Sequence, residues 1–157
     1  MASRDQGAQQ PTILCVDDEP DVLSALDQLL RRHGCRVLLA ENGSDALRLL
    51  QRERVEVLIC DEAMPGMCGT EVLCQAKLIA PQTVRVMLTA HCNDGAVVIP
   101  AVHKGEIFGL IQKPWEEQDV CHVIADALRL EHPTRGRFQE RVREESEADF
   151  GSGNAKS

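Results

Sequence analysis

The sequence has few aromatic residues and an excess of acidic ones. It contains three Phe, one Trp and no Tyr, so its core must be built mainly from aliphatic side chains. Lys and Arg number 17 against 25 Asp and Glu, which gives a formal net charge of −8. Because nonspecific DNA binding needs a basic surface that displaces counterions, this balance argues against direct nucleic-acid binding.

Long apolar segments and a secretory signal are also missing. No run reaches the roughly 18 apolar residues that a membrane-spanning helix requires. The first eleven residues, MASRDQGAQQP, are polar and lack the apolar centre of a signal peptide. We therefore expect a soluble, cytoplasmic protein without membrane association.

The seven cysteines show neither a CxxC pair nor a cluster with His at the spacing of a metal site. Cys15 and Cys60 lie within apolar runs, where small hydrophobic residues are common. This distribution predicts thiols rather than disulfides, as is usual in a reducing cytosol.

Five short apolar runs predict strands, at residues 12–16, 35–40, 55–60, 83–90 and 106–111. An amphipathic pattern predicts a helix that begins at Pro20 and stops at Gly34. Similar patterns predict four further helices, at 42–53, 68–80, 93–105 and 116–131. The helix over 42–53 would have Asn42 or Ser44 as its N-cap. Pro100 would shorten or kink the helix over 93–105.

The alternation of strands and helices predicts the fold class. It is typical of α/β proteins with a doubly wound, five-stranded parallel sheet and helices on both faces. We expect one domain at 12–131, a disordered tail at 1–11 and a linker or disordered tail at 132–157, where the periodicity is absent. Either an output domain follows in a longer chain, or this protein acts through protein contacts alone.

Polar residues follow the strands at the point where each strand ends. In an open parallel sheet these carboxyl ends meet at one edge, where ligands bind. The residues concerned are Asp17, Asp18 and Glu19 after the first strand, Asp61 after the third, Thr89 after the fourth and Lys113 after the fifth. Clustered carboxylates need a cation between them, and oxygen ligands favour Mg²⁺. A carboxylate can also attack a phosphoryl group and form an acyl phosphate.

Four motifs occur in the order found in the receiver domains of two-component response regulators, and the sequence resembles that family over about residues 12–131. The motifs are CVDDEP (15–20), ICDEAMPGMCGTEVL (59–73), MLTA (87–90) and QKPW (112–115). The resemblance implies a flavodoxin-like fold with strand order 2-1-3-4-5. It implies a phosphorelay switch rather than a dedicated enzyme.

The resemblance also implies roles for individual residues. Asp61 would accept the phosphoryl group from a sensor histidine kinase or phosphotransfer protein, Thr89 would be the switch hydroxyl and Lys113 would contact the phosphate. Mg²⁺ would be held by Asp17, Asp18, Asp61 and the backbone carbonyl of Ala63. The peptide bond before Pro114 would be cis. The motif KPW (113–115) is similar to that of receivers linked to HD-type phosphodiesterases or to ATPase transcription activators.

Three features depart from the usual pattern of the family. Leu110 stands where receivers carry Tyr or Phe, so the resemblance does not extend to the usual coupling between hydroxyl and ring. Ala63 and His91 occupy the variable positions that flank the attacking water. We expect an output domain, a partner protein or a second copy to bind the face formed by residues 93–131. Pro100 interrupts a helix of this face.

Two other functions fit parts of the pattern. Because Leu110 replaces the usual aromatic residue, the chain also fits a receiver-like interaction module that does not depend on phosphorylation. A Mg²⁺-dependent phosphatase with an aspartyl nucleophile is less favoured, because Ala63 replaces the second acid that such enzymes often carry. Asp17 and Asp18 taken alone also suit the N-terminus of a helix.

Overall fold

The computed structural model describes residues 10–90 and 107–131 of the chain. These residues form five strands and four helices. The strands are β1 (Thr12–Val16), β2 (Arg36–Ala40), β3 (Val57–Asp61), β4 (Val84–Thr89) and β5 (Gly109–Gln112). The helices are α1 (Pro20–Arg32), α2 (Gly43–Arg52), α3 (Gly69–Ile79) and α4 (Glu117–Glu131).

The strands form one parallel sheet in the order β2-β1-β3-β4-β5. This confirms the predicted doubly wound, flavodoxin-like architecture. Every residue of β1 and β3 is buried, because both strands lie inside the sheet and are covered on both faces. Their continuous apolar runs, in place of the alternation seen in half-exposed strands, follow from this position.

Two hydrophobic clusters lie on opposite faces of the sheet. Leu26 and Leu30 of α1 join Ile124 and Leu128 of α4 in one cluster. The second cluster contains the buried faces of α2 and α3, which include Leu50. Neither cluster contains Tyr or Phe among its buried residues, in keeping with the aliphatic core that the composition predicts.

Local sequence signals account for the ends of the first two helices. Pro20 opens α1, where a missing amide hydrogen costs no helical bond. Gly34 follows its last turn with a φ of 88°, a conformation that suits glycine. Asn42 is the N-cap of α2, since its side chain accepts a hydrogen bond of 2.8 Å from the amide of Asp45. The structure thus selects Asn42 over Ser44.

Two strands are displaced from their predicted bounds. The third strand begins at Val57 and includes Asp61, and the fifth begins at Gly109. The fifth is shorter than predicted because its ladder with β4 runs only from Val86–Gly109 to Thr89–Gln112. Hydrophobicity marks the apolar run, whereas backbone pairing decides which part of it is a strand.

Several predictions concern residues outside the described ranges. These are the helix over 93–105 with Pro100, the variable position His91, and the tails up to residue 9 and from 132 onward. Pro11, the last residue of the predicted N-terminal tail, is buried, and its carbonyl accepts a 2.8 Å hydrogen bond from Arg36. In the parts of the chain that are described, no helix is long and apolar enough to cross a membrane.

Gly69 allows α3 to begin directly against the end of β3. A Cβ atom at this position would lie 2.3 Å from the carbonyl oxygen of Asp61 and 2.7 Å from the Cα of Glu62. Both are backbone atoms, so neither can move aside without shifting the loop that carries Asp61. The close approach of helix and strand therefore requires glycine.

We predict that Gly69→Ala lowers the free energy of unfolding by about 1–3 kcal/mol, the usual cost of overpacking. Helix propensity alone predicts the opposite sign, a gain of up to about 1 kcal/mol. Urea unfolding followed by circular dichroism measures the change. The matched control is Gly109→Ala, whose Cβ would meet only a side-chain methyl of Val123 at 3.3 Å. Equal effects of the two substitutions would contradict this account.

Candidate functional site

The ends of four adjacent strands bring the predicted site residues to one edge of the sheet. Asp17 directly follows β1, Asp61 is the last residue of β3, Thr89 is the last of β4, and Lys113 directly follows β5. Since β1, β3, β4 and β5 are neighbours in this order, residues that are far apart in sequence meet here.

Lys113 is the cation that connects two of these strand ends. Its Nζ lies 2.9 Å from Oδ2 of Asp17 and 3.0 Å from Oδ1 of Asp61. Oε1 of the exposed Glu19 is 3.8 Å away. The backbone amide of Lys113 donates a 2.8 Å hydrogen bond to the carbonyl of Thr89, and the Lys113–Pro114 peptide bond is cis.

A single ammonium does not balance the negative charge at this edge. The carboxylates of Asp17, Asp18 and Asp61 have oxygen atoms within 4.8 Å of one another, which gives three negative charges against one positive charge. Asp17 and Asp61 are buried, whereas Asp18 is exposed. Like charges this close disfavour joint ionisation unless a further cation is present.

The donor atoms present suit a Mg²⁺ ion. Oδ1 of Asp17 accepts a 2.9 Å hydrogen bond from the amide of Glu19. Its buried Oδ2 lies 2.9 Å from the Lys113 ammonium and receives no other hydrogen bond from the described residues. A buried carboxylate oxygen in this state, next to two further carboxylates, is the hard-oxygen environment that Mg²⁺ prefers.

The pKa values of the two central groups reflect this crowding. Burial raises the pKa of Asp61 to about 6 from an ordinary 3.8, Lys113 opposes that rise, and the charges of Asp17 and Asp18 add to it. Burial lowers the pKa of Lys113, but the two neighbouring carboxylates outweigh it and leave that pKa above its usual value. Proton affinity at Asp61 therefore depends on how much positive charge is nearby.

The remaining predicted residues lie around this centre. Thr89 is buried and stands one position beyond Leu88, the residue that pairs with Asp61 across β3 and β4. Ala63 is exposed in the loop between β3 and α3. Leu110 is half-buried in β5 and packs against the hydrophobic cluster under α2 and α3.

Glu62 supports the site in a way that the sequence reasoning missed. Its Oε1 accepts hydrogen bonds of 2.8 Å from both the amide and the hydroxyl of Thr70. These bonds hold the first turn of α3 against the loop that carries Asp61. The only signal in the sequence is an acid followed eight residues later by Thr at a helix start, which is too common to be informative.

Residues 13–125 match the protein family described as Response regulator receiver domain. This chain belongs to that family. The receiver domain is a component of two-component signalling, and it is a phosphoacceptor switch rather than a dedicated enzyme. Receiver domains bind Mg²⁺ and partner with histidine kinases, and the three carboxylates at the sheet edge agree with such a site.

Several relatives are similar to this chain over only part of their own length. The hydrogenase transcriptional regulatory protein HoxA of Cupriavidus necator is 32% identical over 78% of this chain and 25% of its own length. A cyclic di-GMP phosphodiesterase of Thermotoga maritima is 35% identical over 75% of this chain and 31% of its own. The receiver thus spans about a quarter to a third of these curated relatives.

A solved structure shares both the fold and the sequence pattern. It is the signal receiver domain of an HD domain-containing protein from Pseudomonas fluorescens Pf-5. The two agree with a TM-score of 0.75 and 30% identity over 80% of this chain and 99% of that one. Nearly the whole of that receiver is therefore matched.

The raised pKa of Asp61 predicts how stability changes with pH in metal-free buffer. Between about pH 4 and 6 the folded receiver holds a proton on Asp61 that the unfolded chain has released. Its stability therefore falls as the pH rises through this range. Asp61→Asn removes the titrating group, so the stability of this variant relative to the native protein should increase from pH 4 to 6, by on the order of 1 kcal/mol.

Thermal unfolding of both proteins in EDTA from pH 3.5 to 7.5 measures this difference. Groups remote from Asp61 titrate alike in both proteins, so their contributions cancel in the comparison, and the difference reports Asp61 together with the charges coupled to it. A difference that stays constant over the whole range would show that Asp61 has an ordinary pKa.

Proposed function

We propose that Asp61 of this receiver accepts a phosphoryl group from a sensor histidine kinase or a phosphotransfer protein, in a Mg²⁺-dependent reaction that switches the domain. The observation that carries the proposal is the position of Asp61. It is buried at the end of a central strand, with an ammonium at 3.0 Å and two carboxylates within 4.8 Å.

The chemistry follows from the oxygen atoms of Asp61. One carboxylate oxygen forms a bond to phosphorus while the bond from phosphorus to the donor imidazole nitrogen breaks, and the electron pair stays on nitrogen. The new bond removes the negative charge of the Asp61 carboxylate. Lys113, which lies 3.0 Å from Oδ1, is then placed to pair with a phosphoryl oxygen. The product is an aspartyl phosphate.

Asp17, Asp18 and Asp61, with the backbone carbonyl of Ala63, would hold the ion. A bound Mg²⁺ neutralises charge on the transferred phosphoryl oxygens. The proposal is supported by the three converging carboxylates and by the buried Asp17 oxygen, whose one polar neighbour among the described residues is the Lys113 ammonium. The assignment of Ala63 rests on its place two residues after Asp61, in a loop that Glu62 ties to α3.

Thr89 is the proposed switch hydroxyl, because it is buried at the end of the strand next to Asp61. The carbonyl of Thr89 also accepts a hydrogen bond from the amide of Lys113. A displacement of either residue would therefore displace the other. Leu110, three residues before Lys113, cannot form the polar contact of a Tyr at this position. We propose that side-chain packing rather than an aromatic ring transmits the switch.

The wider context of the receiver is also proposed. We propose domain boundaries of 12–131, with tails at 1–11 and 132–157; the family match over 13–125 supports a receiver within these bounds. The motif KPW (113–115), together with the HD-domain and transcriptional relatives, favours an output domain that is either an HD-type phosphodiesterase or an ATPase transcription activator. We propose that the receiver is cytoplasmic and that an output domain, a partner protein or a second copy binds the face over 93–131, of which residues 107–131 are described.

A receiver-like interaction module that needs no phosphorylation is the second candidate. The observation that favours it is Leu110, which leaves the described part of β5 without the family's aromatic switch residue. Such a module would keep the fold and its partner surface but would not change state when Asp61 is occupied. Binding of a phosphoryl mimic distinguishes the two candidates.

We predict that beryllofluoride binds the receiver only in the presence of Mg²⁺, and that Asp61→Asn abolishes this binding. The mimic requires a carboxylate oxygen to complete the coordination of beryllium, and the amide of Asn is a much poorer ligand. Fluorescence of Trp115, which is half-buried two residues after Lys113, and ¹⁹F NMR of the bound fluorides measure the binding.

Asp126→Asn is the matched control, because it removes a carboxylate of the exposed ion pair with Arg129 on α4. It should bind the mimic as the native protein does. If the native receiver binds no beryllofluoride in Mg²⁺, the phosphoacceptor proposal is wrong and the interaction module is favoured.

A further inference from the structure

A second group of possible metal ligands lies where the end of α1 meets the start of α4. It consists of His33, Glu117 and Cys121, whose ligand atoms all lie within 4.8 Å of one another. None of the three belongs to the carboxylate site at the sheet edge. His33 and Cys121 are 88 positions apart, so no spacing rule applied to the sequence would join them.

The two helices supply these side chains from fixed positions. His33 is the C-cap of α1 and its side chain is only 4% exposed. Its Nε2 lies 3.0 Å from Oε2 of Glu117. Glu117 and Cys121 are four residues apart in α4 and therefore share one face of the helix. The thiol of Cys121 is buried in the hydrophobic cluster between the sheet and the two helices.

The donor set suits a borderline transition metal better than Mg²⁺. Imidazole nitrogen, thiolate sulfur and carboxylate oxygen are the three protein ligand types of Zn²⁺, and three of them leave a fourth position for water. With bonds of about 2.0–2.3 Å, tetrahedral ligand atoms lie roughly 3.3–3.8 Å apart. The His33–Glu117 separation of 3.0 Å is already near this range, and the remaining pairs, which lie within 4.8 Å, must close by about 1.5 Å at most.

The charges at the junction are compatible with a dication. Nη2 of Arg32 lies 2.8 Å from Oε2 of Glu117. Arg32 and His33 hold the pKa of Glu117 below its usual range, so the carboxylate is ionised. A thiolate and a carboxylate together balance two positive charges. Arg32 now contacts the same oxygen as His33. Because Arg32 is more than half exposed, it can move to Oε1 while Oε2 binds a metal, and outer partners of this kind orient metal ligands.

The simpler alternative is a structural clamp, in which Glu117 only joins the two helices through Arg32 and His33. That clamp accounts for the His33–Glu117 contact. It does not require a thiol near these two groups, whereas the ligand atoms of His33, Glu117 and Cys121 all lie within 4.8 Å of one another. Cys121 is the residue that separates the alternatives, because a clamp does not need its sulfur.

We propose that His33, Glu117 and Cys121 form a binding site for Zn²⁺ or a similar borderline divalent metal. The bound ion would tie the end of α1 to the first turns of α4, the helix that begins four residues after Lys113. The site would therefore stabilise the position of the segment that carries the cation of the phosphoacceptor site.

Titration with Co²⁺ tests this site directly, because a Co²⁺–thiolate bond gives a charge-transfer absorption in the near ultraviolet and a tetrahedral ion absorbs strongly in the visible. The experiment uses the full chain in saturating Mg²⁺ with a non-chelating phosphine reductant. We expect one Co²⁺ per chain, displaced by Zn²⁺. Cys121→Ser should abolish the charge-transfer band, and Glu117→Gln should weaken Zn²⁺ binding at least tenfold.

Cys74→Ser is the matched control, since Cys74 is a half-buried thiol on α3, and it should leave the spectrum unchanged. Asp61→Asn should also retain the Co²⁺ spectrum, so failure of the phosphoacceptor proposal would not affect this one. The proposal is overturned if the native protein shows no charge-transfer band in Co²⁺, or if the band survives in Cys121→Ser. His33→Gln provides a further variant, provided that circular dichroism shows it folded.

Discussion

Two buried carboxylates share one half-buried ammonium at the end of the sheet, and the rest of the architecture makes this arrangement possible. Asp17 and Asp61 come from the interior strands β1 and β3, and Lys113 reaches both from the loop after the edge strand β5. An unpaired charge at such a depth is strongly destabilising. Strand order, loop path and side-chain reach must therefore all agree before the chain can bury these groups together.

The sheet and the start of α3 give this charge cluster a rigid support. All five residues of β1 and all five of β3 are buried, so the backbone beneath Asp17 and Asp61 has little freedom to move. On the far side of Asp61, Gly69 permits close contact of helix and loop, while Glu62 bonds to Thr70. A phosphoryl group added at Asp61 would therefore act on its side-chain partners, chiefly Lys113, rather than on the strand itself.

The two possible metal sites differ in the chemistry that defines them. The sheet edge offers only carboxylate oxygens and an excess of negative charge, which suits a hard ion that exchanges quickly. The junction of α1 and α4 offers nitrogen, sulfur and oxygen in a largely buried position, which suits a tighter and more structural ion. Both lie close to the segment from Lys113 to Cys121, so this segment is where phosphorylation and metal binding could influence each other.

The sequence by itself determined the order of strands and helices, the parallel sheet and the residues at its carboxyl edge. These features depend on local periodicity and on motifs such as CVDDEP and QKPW, which are contiguous in the chain. Only the tertiary structure decided that Lys113 contacts Asp17 and Asp61 at once, and that His33 meets Cys121. These contacts join residues that are distant in sequence, and the packing of helices on the sheet sets their distances. No pattern within one segment encodes that packing.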